Sequence, residues 1–139
     1  MSDTFDVPAA TVARLGTLCL ALPEAHEELA WVGTRWRIRS QTFAHVLPVV
    51  DGRPPSYARA SRLTGPGIVL TFRVALEDCD LLERLGPPYF GIEWGRAMGG
   101  VVLGEDSDWS EIAEFVTDSY RLVAPRRLAA RVERPPVPQ

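Results

Sequence analysis

With 139 residues and a net charge of −3, the chain is long enough for one hydrophobic core and short for two. Apolar residues at 46% and charged residues at 24% fit a globular protein, and no apolar run approaches the roughly 20 residues that a bilayer span requires, which argues against a membrane partner. The acidic start Met1-Ser2-Asp3 lacks the basic lead of a signal peptide, so a soluble, cytoplasmic protein is expected.

Residues 1–7 are expected to be disordered. Over residues 8–22, Val12, Leu15, Cys19 and Leu22 recur at helical spacing; Pro8 suits the first turn and Pro23 ends the helix. Residues 24–28 read as a polar lead-in. Residues 34–40 alternate, with Trp36 and Ile38 on one side and Arg35, Arg37 and Arg39 on the other, and residues 43–50 return as the second strand of a hairpin. Loop composition marks 51–55, and 56–67 carries no clear period. Residues 68–74 predict a strand with Ile68, Leu70, Phe72 and Val74 on one face and Val69, Thr71 and Arg73 on the other.

A short helix follows over 77–85, burying Cys79 and Leu82 and stopping at Gly86-Pro87-Pro88. Residues 89–97 read as a connector, with a partly extended course as an option, and 99–103 as a short strand. Asp108, with Glu111 three residues on, opens a long helix whose stripe is Trp109, Ile112, Ala113, Val116, Tyr120 and Val123. That helix is expected to cross the sheet with Trp109, Ile112, Val116 and Tyr120 buried against Ile68, Leu70 and Phe72. A short helix within 125–132 precedes a proline-rich tail, 133–139, expected to be disordered. Grouped strands point to an α+β fold: a single domain over 8–132, with an antiparallel sheet of about five strands and helices packed on one face.

Several of these motifs resemble those of MmcQ/YjbR-like proteins. The matching features are Leu22-Pro23-Glu24-Ala25, Trp31, the Trp36-to-Arg39 and Phe43-Ala44 hairpin, Pro87-Pro88-Tyr89-Phe90, Val101 to Leu103, Trp109 with Glu111, and Ser119 to Leu128. The resemblance covers roughly 8–132. It implies a compact α+β fold similar to the double-wing DNA-binding surface of a phage transcription factor, and with it a DNA-binding role; it implies no catalytic residues. Thr42 and Gly99-Gly100 stand where relatives often carry a lysine and an aromatic residue.

All fifteen basic residues are arginine, each a planar donor suited to carboxylate or phosphate. Arg35, Arg37, Arg39 and Arg73, with Arg59 and Arg62 in the intervening stretch, form a candidate nucleic-acid-binding face whose partner is duplex DNA. The competing reading is a solvated, aggregation-blocking surface. A second cluster of Arg121, Arg126, Arg127, Arg131 and Arg134 is for the most part explained by the negative end of the last helix, with a nucleic-acid-binding arm as the alternative reading. Trp31, Trp36, Tyr89, Phe90 and Trp94 are the candidate lining of an alternative site, for a small aromatic ligand or a peptide. His26 and His45 match no metal-ligand spacing, no serine has a nucleophile's context, and no cofactor motif is present. Cys19 and Cys79 read as buried hydrophobes. The chain is therefore expected to be a non-catalytic binding protein.

Overall fold

The computed structural model describes residues 5–132; the predicted disordered tail at 133–139, with Arg134, and residues 1–4 lie outside the described residues. In chain order the elements are α1 (Ala9–Leu20), β1 (Ala25–Leu29), β2 (Thr34–Ile38), β3 (Gln41–Val49), α2 (Pro55–Ser61), β4 (Gly67–Arg73), α3 (Leu76–Leu85), β5 (Tyr89–Glu93), β6 (Ala97–Leu103), α4 (Trp109–Val123) and α5 (Arg126–Ala129). The strands form one six-stranded sheet in the order β1-β2-β3-β4-β6-β5, with every neighbouring pair antiparallel.

The sheet has one strand more than expected. The polar lead-in is the edge strand β1, which carries His26, Glu27 and Glu28 instead of an apolar alternation. An edge strand is held by backbone pairing on one side and does not need a buried face. The connector at 89–97 is β5 plus the turn of a hairpin with β6. Its alternation is masked because Gly91, Gly99 and Gly100 stand where neighbouring side chains press onto the backbone. At Gly100 a Cβ would lie inside the Phe90 ring, so only glycine lets that ring cover the strand. The unassigned stretch 56–67 contains α2, which is too short to show a helical stripe.

Alternation along the strands separates two faces. One face supplies Trp36, Ile38, Phe43, Ala44, Val46, Ile68, Leu70, Phe72 and Val101 to the main core. It is covered by α1 (Leu15, Leu18, Cys19), α3 (Leu82), α4 and Leu128 of α5. Each of these fully buried large side chains contributes roughly 1.5–3 kcal/mol of apolar burial. The opposite face is covered at one end only. There Tyr57, Ala58 and Ala60 of α2 close over Leu47, Val49, Val69, Phe90 and Ile92 in a smaller cluster.

The last long helix forms where the sequence places it. The Asp108 carboxylate accepts from the backbone N–H groups of Ser110 (3.0 Å) and Glu111 (3.1 Å), so the helix starts capped. Ile112, Ala113, Val116 and Tyr120 are buried on the sheet. The Tyr120 hydroxyl donates to the Pro23 carbonyl at 2.6 Å, and its ring meets Phe43 edge-on at 5.3 Å. Trp109 departs from expectation. At the first turn it is only half-buried, under the Arg14 guanidinium 4.3 Å above its ring. Ser119, fully buried, ties the helix to two strands: its Oγ accepts from the Arg73 N–H at 2.8 Å and donates to the Phe43 carbonyl at 2.6 Å. Phe43 is the residue skipped where the β2–β3 register shifts, so Ser119 serves a carbonyl turned out of the ladder.

Candidate functional site

The half of the sheet that α2 leaves uncovered forms a concavity of about 310 Å³. Strand pairing orders its floor into rows. Arg35, His45, Thr71, Gly100 and Phe90 lie in one row across β2, β3, β4, β6 and β5. Arg37 pairs with Thr42 on β2 and β3, and Arg73 with Met98 on β4 and β6. Leu47 pairs with Val69 towards α2, and Tyr57 of α2 forms a wall. The segment between β1 and β2 brings Ala30, Trp31 and Val32 to the rim, and the turn between β5 and β6 brings Arg96. The concavity is thus apolar towards α2 and cationic at the far end.

The guanidiniums on this face are not equivalent. Glu28 accepts from Arg35 at 2.9 Å and lies 3.5 Å from Arg37. The Arg35 hydrogen bond, with both guanidinium charges, holds the Glu28 carboxyl below its ordinary range despite partial burial. Arg37 also donates to the Ser40 carbonyl. Arg73 and Arg96, by contrast, have no carboxylate within salt-bridge distance among the described residues. The Arg73 Nε is buried without a hydrogen-bond partner among the described residues, as are the Nε atoms of Arg35 and Arg37. Burial, and then the neighbouring Arg96, lower the Arg73 pKa. Such an arrangement favours a negative group beside it.

Between the arginine end and α2 stands His45, whose Nε2 lies 2.6 Å from the Val32 carbonyl. With the imidazole neutral, that nitrogen donates. Burial lowers the His45 pKa, the Val32 carbonyl opposes the shift, and Arg35 reinforces it. Next to it Tyr57 sits edge-on to His45 (6.2 Å between ring centres) and to Trp94 (5.2 Å). Burial raises the Tyr57 pKa.

The structure does not bring the six candidate arginines together. Arg35, Arg37 and Arg73 share the open face. Arg39 lies in the β2–β3 turn with φ 57°, outside the strand alternation, and pairs with Glu24 at 3.3 Å. Arg59 is exposed on α2, and Arg62 sits left-handed at the end of α2, bound to Glu83 of α3 at 2.6 Å. The candidate aromatics are also divided. Trp31 overhangs the concavity and is 95% exposed. Trp36 is fully buried on the helix-covered face, where its indole N–H donates to Glu27 at 2.8 Å. Tyr89 is on that same face, its hydroxyl 2.6 Å from Glu111, which pushes its pKa up to about 12. Phe90 is buried in the smaller cluster, and Trp94 reaches the site only through Tyr57.

Arg96, His45, Thr71 and Tyr57 were not singled out as lining residues by the sequence. The strand parity of Thr71 with Arg73 was visible, and it could have drawn His45 in through a β3–β4 register. Arg96 carried no signal, because the turn that presents it read as a connector. Among the described residues, no group of three or more His, Cys, Asp or Glu could hold a metal ion, and no helix is long and apolar enough to cross a membrane.

Fold and site together define the class: a small α+β protein with an antiparallel sheet, one face under helices and the other partly open as an arginine-bearing concavity. The sequence profile of the YjbR family matches residues 20–122, more than half of the chain, and the chain belongs to that family. No curated protein and no solved structure matches it.

Proposed function

We propose that this protein is a non-catalytic binding module whose site is the concavity on the open face of the sheet. The observation that carries this reading is that Arg73 and Arg96 both line the end of a concavity walled by Tyr57 and rimmed by Trp31, with neither guanidinium bound to a carboxylate among the described residues. Its volume of about 310 Å³ falls at the small end of ligand pockets. His45 is held by a backbone carbonyl, and the one histidine–carboxylate pair among the described residues, His26 with Glu28 at 3.7 Å, is exposed on the edge strand; neither is an arrangement for acid–base work.

The second reading, duplex DNA across the arginine-bearing face, draws support from Arg35, Arg37 and Arg73 sharing one face. Against it, Glu28, Glu24 and Glu83 already engage Arg35 and Arg37, Arg39, and Arg62, and the net charge is −3. Backbone binding of DNA draws on cations free to release counterions. Amide NMR separates the two readings. Small aromatic and anionic fragments are expected to shift the His45, Thr71, Arg73 and Met98 amides. If no fragment moves them while duplex DNA shifts Arg35, Arg37 and Arg39 with a steep salt dependence, DNA is the partner and the concavity is not the site.

A further inference from the structure

The two ends of the concavity differ in chemistry, and that difference specifies a ligand. We propose that the site takes a compact aromatic anion: one carboxylate-like group at Arg73 and Arg96, carried on a planar apolar body lying towards Tyr57. This rests on the concavity being the binding site.

The anion end is defined by charge. Arg35 and Arg37 share Glu28, whereas Arg73 and Arg96 both line the concavity with no carboxylate within salt-bridge distance among the described residues. Arg73 also borders a neighbouring groove with Asp78 and Asp118, but neither carboxylate comes within 4.0 Å of it. Two adjacent guanidinium forks with free donors match the planar oxygens of a single carboxylate. A polyphosphate would need further free cations, which this face does not provide.

The body end is defined by its walls. Pro54, Tyr57, Leu47, Met98 and Val32 present apolar surface, and Thr71 with His45 forms a floor that is only locally polar. Trp31 makes no ring–ring contact and stands over the mouth, so its indole is available to cover a bound ring. At about 30 Å³ per water, 310 Å³ accommodates on the order of ten waters, the size of a one- or two-ring compound and not of a longer chain.

Isothermal titration calorimetry of the full chain tests this with 2-naphthoate, the uncharged 2-naphthylmethanol and inorganic phosphate, against Arg96→Gln, Arg73→Gln and the control Arg59→Gln. Arg96 and Arg59 are both exposed, so these two variants leave the core untouched. Naphthoate is expected to bind at least tenfold more tightly than either other probe. Arg96→Gln and Arg73→Gln should each weaken it at least tenfold, and Arg59→Gln less than twofold. Equal affinity for the alcohol removes the anion clamp, equal affinity for phosphate removes the aromatic body, and no loss in Arg96→Gln removes the assigned residues; any one overturns the proposal. If naphthoate fails to bind while other fragments still shift the His45 and Thr71 amides, the ligand class falls and the site stands. If no small molecule moves those amides, both fall.

Discussion

Two buried hydroxyls on α4, one helical half-turn apart, should respond to removal in opposite ways. The Ser119 Oγ accepts from the Arg73 N–H and donates to the Phe43 carbonyl, and the residue is fully buried. Ser119→Ala leaves both backbone groups without a partner in a site too tight for solvent. Each orphaned group costs about 1–3 kcal/mol. Alanine regains about 0.5 kcal/mol of helix propensity over serine. The net loss is then about 1.5–5.5 kcal/mol, a large share of a typical domain's stability. For a domain of this size that lowers Tm by roughly 5–20 °C. Thr117, also buried, has an Oγ1 with no hydrogen-bond partner among the described residues. Thr117→Val removes a desolvated polar atom and nothing that depends on it, so its stability should stay level or rise by up to about 1 kcal/mol.

Urea melts of the two variants beside the parent decide the matter, since a common m-value would confirm that the unfolded reference is unchanged. The reasoning fails if Ser119→Ala loses less than about 0.5 kcal/mol, or if Thr117→Val loses as much as Ser119→Ala. Either result would mean that hydroxyl burial on this helix does not follow its hydrogen bonding.

Gly100→Ala should destabilise the β5–β6 hairpin, because the new methyl would overlap the Phe90 ring; chemical denaturation should show a loss of about 1–3 kcal/mol, and parent-like stability would show that the ring moves aside freely. Trp109→Ala should cost about 1–3 kcal/mol, less than the roughly 3–5 of a fully buried aromatic, because Trp109 is half-buried beneath Arg14; a loss above 4 by thermal melt would return it to the core. His45, with its folded pKa below the ordinary 6.5, should couple stability to pH. Below 6.5 the unfolded chain binds more protons than the folded one, so this contribution is present above 6.5 and lost as pH falls through the folded pKa. The urea midpoint should drop between pH 7.5 and 5.5, and His45→Gln should flatten that slope; Glu28, lowered from 4.5, acts only in a more acidic window.

What was legible in the sequence was whatever a single element states about itself. The stripe of α4 and the Asp108 cap are local, and so is the parity of Ile68, Leu70 and Phe72; the cap opens the helix, and the stripe and the strand face reappear in or against the core. The strands that escaped notice were those whose character depends on a neighbour. β1 is polar because it is an edge paired to β2, and β5 with β6 is glycine-rich because side chains of α3 and Phe90 lie directly on them. Face assignments failed for a related reason. Arg39 continues the odd-numbered alternation on paper, but its left-handed φ makes it a turn residue. Trp36 could be read as core or as pocket lining, and the core holds it, with its indole N–H on Glu27 of the edge strand.

The site is coupled to the core at Arg73. Its backbone N–H is fixed by Ser119 of α4 on the covered side of the sheet, while its side chain projects into the concavity on the other. Arg73 has no carboxylate within salt-bridge distance among the described residues, and Ser119 anchors its strand at that residue. The same bond therefore links the helix–sheet packing to the proposed binding face. If the proposed anion binds there, its binding free energy adds to the stability of the folded chain by mass action. On this account Ser119→Ala should lose affinity for an anionic ligand even under conditions where it remains folded, whereas Thr117→Val, equally buried but bonded to nothing, should bind as the parent does.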